Sequence, residues 1–236
     1  HAYAAYMAKK MLKDQSINIP IVTTLHGTDI TLVGNHPSYK TAVTFSINKS
    51  DVVTCVSNSL KNDTLNQFDI KNKIRVIPNF IDMNKYIIQQ DLCLIENPIP
   101  YKELIISHVS NFRPVKNVLN VIKIFNNIQK KLNVRLIMIG EGPEKLKAER
   151  MCDDLKISHL VDFLGNSSQV EKNLCHSDLF LLPSSTESFG LAALEAMASK
   201  VAIISSNAGG LPEINIDGQT GYISDFNDID FMTEKA

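Results

Sequence analysis

Apolar residues in this chain fall into two rhythms. Short runs rich in Val, Ile and Leu occur at Ile21 to Leu25, Asp51 to Val56, Ile74 to Ile77, Leu104 to Val109, Val134 to Ile139, Val161 to Leu164, Leu179 to Leu182 and Val201 to Ile204, each of strand size. Segments of helical spacing lie before and between them: Ala2 to Lys13, Tyr39 to Asn48, Ser57 to Phe68, Val115 to Leu132, Pro143 to Leu155, Val170 to Leu174 and Phe189 to Ser199. This alternation predicts parallel strands covered by helices, an α/β doubly wound architecture. From Pro78 to Pro100 the rhythm breaks, with three prolines and Asn79, Asn84 and Asn97. The chain is therefore read as one αβ unit over residues 1–80, a linker over 81–100 and a second αβ unit over 101–236. The first unit lacks opening strands and the second ends near Tyr222 before any closing helix, so both are expected to be incomplete. The chain also opens on His1 and runs straight into a helical segment, so an upstream portion is expected.

Composition narrows the function classes. The 236 residues are 44% apolar and 21% charged, which argues against disorder, and 24 basic against 25 acidic side chains leave a net charge of -1. That balance supplies no field for nucleic acid or acidic lipid, so neither a nucleic-acid partner nor stable membrane association is expected. The longest apolar runs are far short of a bilayer span. Cys55, Cys93, Cys152 and Cys175 are scattered without paired spacing, so no disulfide framework or zinc site is indicated and a reducing cytoplasm is the expected compartment.

In open α/β sheets ligands bind beyond the carboxyl ends of the strands. After Leu179 to Leu182 comes Pro183-Ser-Ser-Thr-Glu187-Ser-Phe-Gly-Leu-Ala-Ala-Leu-Glu195-Ala-Met-Ala. Ser188 is read as the N-cap of a helix whose first amides, on Phe189, Gly190 and Leu191, suit a diphosphate. Glu195 is then about two turns, roughly 10 Å, inside the helix, so the two carboxylates cannot act as one pair. They could hold the two ends of one ligand. Taken singly, each glutamate is equally readable as a solvated or dipole-favouring charge. Other loops carry further candidates. Strand Leu104 to Val109 leads into Ser110-Asn111-Phe-Arg113-Pro-Val-Lys116, where two cations could meet a departing diphosphate or simply sit in solvent. Strand Ile21 to Leu25 ends in His26-Gly-Thr-Asp29. Gly140-Glu-Gly142 reads as structural, and Gly209-Gly210 either as turn chemistry or as room for a ligand. Asp228-Ile-Asp230 reads as a solvated loop. His36, His108, His159 and His176 lack ligand spacing, and no metal is predicted.

Two glutamates eight positions apart, with Ser-Phe-Gly-Leu between and Glu-Ala-Met-Ala at the end, resemble the signature of the retaining family-four glycosyltransferases of the GT-B fold. The resemblance implies two Rossmann-like domains facing a cleft, with acceptor recognition in the N-terminal one and the nucleotide-sugar in the C-terminal one. It carries sugar-hydroxyl binding to Glu187, diphosphate binding to Phe189, Gly190 and Leu191, and ribose binding to Glu195. Lys116 and Arg113 would neutralise the leaving diphosphate, although the family's arginine position, five before the lysine, is here Asn111, which is placed on the donor. His26 would support the donor sugar by position and charge.

The first half narrows the resemblance further. Thr23-Thr24-Leu-His-Gly-Thr-Asp-Ile-Thr-Leu-Val-Gly, Phe45-Ser-Ile-Asn-Lys-Ser-Asp-Val-Val-Thr, Pro78-Asn-Phe-Ile-Asp and Ser110-Asn-Phe-Arg are similar to a bacterial branch of the family in bacillithiol assembly. Members of that branch transfer N-acetylglucosamine from UDP-N-acetylglucosamine to the hydroxyl of L-malate with retention, in the cytoplasm and without a metal or other cofactor. Thr24 is then the candidate acceptor contact. No carboxylate is placed as a nucleophile, so front-face attack is the expected mechanism. A family member with a lipid or glycan acceptor, a non-catalytic nucleotide-sugar-binding protein and an epimerase are the rival readings. Oligomeric state stays open, a homo-oligomer included.

Overall fold

The structure, a computed structural model, describes residues 2–31, 34, 36–87 and 103–236, so most of the linker read over 81–100 is outside the described residues. The chain divides into two compact units, His1–Asn79 and Phe80–Ala236. In the first, β1 (Val22–Leu25), β2 (Val52–Cys55) and β3 (Ile74–Val76) form a parallel sheet in the order β1-β2-β3. The helices Ala2–Asp14, Thr28–Thr31, Pro37–Asn48 and Asn58–Gln67 accompany it. Ser57 caps the last of these by accepting from the Leu60 amide, and Leu25, Ile30, Ile47, Val53, Leu60 and Ile74 form the buried interior.

The second unit carries a six-stranded parallel sheet built from β4 (Leu104–Val109), β5 (Val134–Ile139), β6 (Val161–Gly165), β7 (Leu179–Leu182), β8 (Ala202–Ser206) and β9 (Gly221–Ser224). Their order is β6-β5-β4-β7-β8-β9. Both faces of this sheet are covered, which is why its strands read as unbroken apolar runs. Successive residues of β7 show the two faces. Leu181 joins the core made with the Val118–Ile128 helix, whereas Phe180 and Leu182 join the core made with Ala193 and Ala196.

Three expectations need correction here. The unit does not stop at Tyr222: β9 is followed by a helix, Ile229–Lys235, whose buried Met232 packs into the first core. Asp228 is the N-cap of that helix and accepts from the Phe231 amide at 3.0 Å, so the Asp228-Ile-Asp230 run is helix-start chemistry and not an open loop. Cys55 and Cys152 are buried free thiols, but Cys175 is disulfide-bonded, contrary to the absence of disulfides expected from spacing.

Candidate functional site

The strand order of the second unit reverses between β4 and β7, the place where an open α/β sheet leaves a crevice for ligand. The loops that follow these two strands are the ones carrying Arg113, Lys116 and Glu187. They are fastened together. The Ser185 amide donates to the Val115 carbonyl at 2.8 Å, and Asn117 Nδ2 donates to the Pro183 carbonyl at 2.9 Å. Lys116 Nζ stands 2.5 Å from Glu187 Oε2, with the two side chains 18% and 15% exposed. The sequence reading assigned these two charges separately; the fold makes them a pair. Arg113 and Asn111 are exposed on the same loop, and Arg113 makes no ion pair among the described residues. The predicted helix from Val115 begins instead with a 3-10 turn, Pro114–Lys116, and starts its α-helical course at Val118 after Asn117 takes a left-handed φ of 49°.

The helix after β7 also starts later than expected. It spans Leu191–Ala198, and its cap is Gly190 at φ 100°, not Ser188. The Gly190 backbone lies so close to Leu211 that an added Cβ would fall 2.6 Å from its Cδ2. Phe189 is therefore outside the helix with its side chain buried. No side chain caps the start, so by helix geometry the amides of Leu191, Ala192 and Ala193 have no intrahelical acceptor, while Leu194 already donates to Gly190. That start combines bare donors with the positive end of the helix dipole. Glu195 lies four residues beyond Leu191, about 6 Å along the axis, which shortens the two-turn separation read from sequence.

Glycine brings a third loop against this one. At Gly209, φ 56°, a Cβ would fall 1.8 Å from the Glu187 carbonyl oxygen, and the Gly210 amide donates to that same oxygen at 2.9 Å. The space that a side chain would take at Gly209 is filled by the Glu187 backbone, a role that neither reading of Gly209-Gly210 gave. Gly140 and Gly142 keep their structural reading, since a Cβ on either would overlap the carbonyls of Ser110 and Asn111.

Glu195 is half-buried, and Tyr86 is 5% exposed. Burial pushes the Glu195 carboxyl above the usual carboxylate range, Glu171 adds to the rise, and Tyr86 and Lys85 oppose it. Burial, then the Glu195 charge, raises Tyr86. Lys85 pairs with buried Glu171 at 3.0 Å. Neither Tyr86 nor Lys85 was singled out from sequence, because they sit in the stretch where periodicity is lost.

His108, set aside for lacking ligand spacing, is fully buried within β4. Its Nδ1 lies 2.8 Å from the Leu181 carbonyl, which can only accept, so the proton sits on Nδ1 and Nε2 accepts from the Ser110 hydroxyl at 2.8 Å. Ser110 Oγ accepts in turn from the Phe112 amide at 3.3 Å. Burial pulls the imidazole down to about 4, with the Lys116 charge acting the same way. A neutral ring thus joins β7 to the root of the cationic loop.

In the first unit, His26 directly follows β1, as read from the sequence, and is exposed; a turn of helix not read there, Thr28–Thr31, comes after it. Thr24 Oγ1 is engaged with Thr54 Oγ1 at 2.8 Å across β1 and β2. Among the described residues no group of three or more His, Cys, Asp or Glu side chains could hold a metal ion, and no helix is long and apolar enough to cross a membrane.

Comparison with known proteins places this geometry. The family model described as glycosyl transferases group 1 matches residues 94–236, and that of glycosyltransferase family 4 matches residues 1–85. N-acetyl-alpha-D-glucosaminyl L-malate synthase of Bacillus anthracis is 41% identical over 100% of the chain. An uncharacterized glycosyltransferase of Methanocaldococcus jannaschii is 30% identical over 95% of it. The chain spans 61% and 59% of these two relatives. Among solved structures, Anabaena HepE in complex with UDP and glucose superposes with a TM-score of 0.80 over 98% of this chain and 65% of its own, at 18% identity, a likeness of fold.

Proposed function

The chain belongs to the glycosyltransferases of group 1 and family 4, with the α/β GT-B fold, and from that premise we propose that it transfers N-acetylglucosamine from UDP-N-acetylglucosamine to the hydroxyl of L-malate, with retention and without a metal. The observation that carries the reading is the Lys116–Glu187 pair at the β4–β7 reversal, beside a helix start with no side-chain cap. The named activity of the 41% identical relative supports the choice of sugar and acceptor.

In this reading the amides of Leu191, Ala192 and Ala193 bind the diphosphate, with Gly190 and Phe189 shaping the approach. Glu195 accepts from the ribose diol, and Glu187 accepts from hydroxyls of the donor sugar. Lys116, exposed Arg113 and Asn111 meet the charge that grows on the diphosphate as the C1–O bond breaks. The malate oxygen attacks C1 from the same face and its proton passes to the departing phosphate, so no base is needed. His26 supports the sugar by position, and Thr24 contacts malate once its hydroxyl reorients from Thr54. The reaction takes place in the cytoplasm.

A lipid acceptor is the second reading. It is favoured by Tyr3, Met7 and Met11, all exposed at helical spacing on Ala2–Asp14, although Lys9 of that helix is engaged by Asp51 at 2.6 Å. Full-length protein incubated with UDP-N-acetylglucosamine and L-malate, water or a lipid acceptor, with UDP release measured, decides between them. Release that requires malate is the expected result. Release with lipid alone selects the second reading, and binding without release in any arm overturns both. A covalent glycosyl adduct trapped in Glu187→Ala would refute front-face attack.

A further inference from the structure

Phe112 takes a left-handed φ of 37°, a conformation that is costly for a residue with a Cβ and persists only where the surroundings impose it. Here they impose it from several sides. The Phe112 ring is fully buried, stacked on His108 at 6.1 Å and edge-on to Phe163 at 6.5 Å. Its carbonyl accepts from the Glu144 amide at 3.0 Å, and its amide donates to Ser110 Oγ at 3.3 Å. The Ser110 hydroxyl donates in turn to His108 Nε2 at 2.8 Å, and the other ring nitrogen is held by the Leu181 carbonyl of β7. After β5, Gly140 and Gly142 press on the same turn: an added Cβ would fall 1.8 Å from the Ser110 oxygen and 2.0 Å from the Asn111 oxygen. The chain leaves this turn at Arg113, which is exposed and makes no ion pair among the described residues. Lys116 has supports of its own, because its neighbours Val115 and Asn117 are bonded to the loop after β7. Arg113 is held instead by the turn at Phe112 and by the Lys116 amide, which donates to its carbonyl at 2.8 Å.

We propose that Ser110 is a positioning residue for the leaving group: by joining buried His108 to the Phe112 amide, its hydroxyl fixes the turn that aims Arg113 at the diphosphate. The proposal rests on the assignment of Arg113 to the departing diphosphate. Breaking the C1–O bond leaves UDP with one more ionisable phosphate oxygen than UDP-N-acetylglucosamine, and so with more negative charge. A well-aimed cation therefore favours UDP over the donor, and stabilises the charge of the transition state more than that of the bound substrate.

Ser110→Ala removes only the bridging hydroxyl, and Ser110→Thr keeps it. Full-length protein carrying either change, Arg113→Ala, or Ser110→Ala together with Arg113→Ala is tested in two ways. Turnover of UDP-N-acetylglucosamine with L-malate gives kcat and KM, and calorimetric titration gives the affinities for UDP and for UDP-N-acetylglucosamine. Ser110→Ala is expected to lower kcat by about 10- to 100-fold while KM for the donor changes by less than about threefold. The preference for UDP over the donor should fall by about five- to tenfold. Ser110→Thr should keep both near the parent values. In the Arg113→Ala background Ser110→Ala should cost nothing more, since a residue that acts through Arg113 then has nothing left to position. Additive losses in the double variant, or a lowered melting temperature with kcat and the preference unchanged, refute the positioning role. Equal losses in Ser110→Thr and Ser110→Ala refute the assignment to the hydroxyl. If Arg113→Ala itself leaves kcat and the preference unchanged, the leaving-group assignment of Arg113 fails. The binding preference needs no turnover, so it decides the proposal even where malate proves not to be the acceptor.

Discussion

Gly209 offers a direct measure of how tightly the Glu187 loop must be held. Its φ of 56° alone makes alanine unfavourable by about 1–2 kcal/mol. The larger effect is contact: the new Cβ would fall 1.8 Å from the Glu187 carbonyl oxygen, whose neighbour Gly210 bonds the same atom at 2.9 Å. Relief requires the Glu187 backbone to retreat by more than about 1 Å, and displacement of that size in a reacting constellation costs about 100-fold in rate. Gly218 is the matched control, since its φ is 71° but nothing lies within 4 Å of an added Cβ. Gly218→Ala should therefore lower the melting temperature by roughly 2–8 °C and leave UDP release unchanged. Gly209→Ala should lose at least about 100-fold in UDP release at saturating donor, beyond any melting shift. Equal activity in the two variants would refute the claim that Gly209 seats Glu187.

Removing Lys116 as alanine leaves the Glu187 carboxylate sheltered and unpaired, so a loss of about 1–3 kcal/mol in denaturant stability should accompany the loss of UDP release. Glu187→Gln, which removes the charge and keeps a hydrogen-bonding group, should retain stability within about 1 kcal/mol while activity falls. His108 has a folded value near 4 against an ordinary 6.5, so the unfolded chain takes up the proton first as pH falls. Its contribution, about 3 kcal/mol, is present above pH 6.5 and is lost between about 6.5 and 4; in His108→Phe the slope of unfolding free energy against pH should flatten over that window. Asp228→Ala should cost about 1 kcal/mol by loss of a helix cap and leave UDP release untouched, and an activity loss reversed by added divalent metal would contradict the capping role.

The sheet of the second unit was legible because covered parallel strands are apolar on both faces, and the runs at Leu104–Val109, Val134–Ile139 and Leu179–Leu182 are bounded sharply by polar loops. The end of the chain was not. Gly221–Ser224 has one aliphatic residue in four, and Ile229 with Met232 is too short an apolar stripe to announce the helix that follows. Strand order was equally hidden, since register and neighbour choice depend on pairing across the chain. With it went the recognition that Lys116 and Glu187 flank a reversal.

Within the candidate site, sequence named candidate residues and misread what fixes them in place. The signature Ser188-Phe189-Gly190 suggested a serine cap, because serine is a common N-cap and glycine a weak one. The actual constraint is three-dimensional: Gly190 must accept Leu211 against its backbone, and Gly209 must accept Glu187. Both glycines belong to loop-on-loop stacking, which no local pattern encodes. On the other side of the reversal, buried His108 and Ser110 join β7 to the base of the cationic loop, a link between residues 73 positions apart in sequence. The Lys116–Glu187 contact therefore depends on loop backbones that uncharged neighbours fasten together. The Gly209 substitution displaces the Glu187 backbone without removing any charge, and so tests that support separately from the deletion of either charged group.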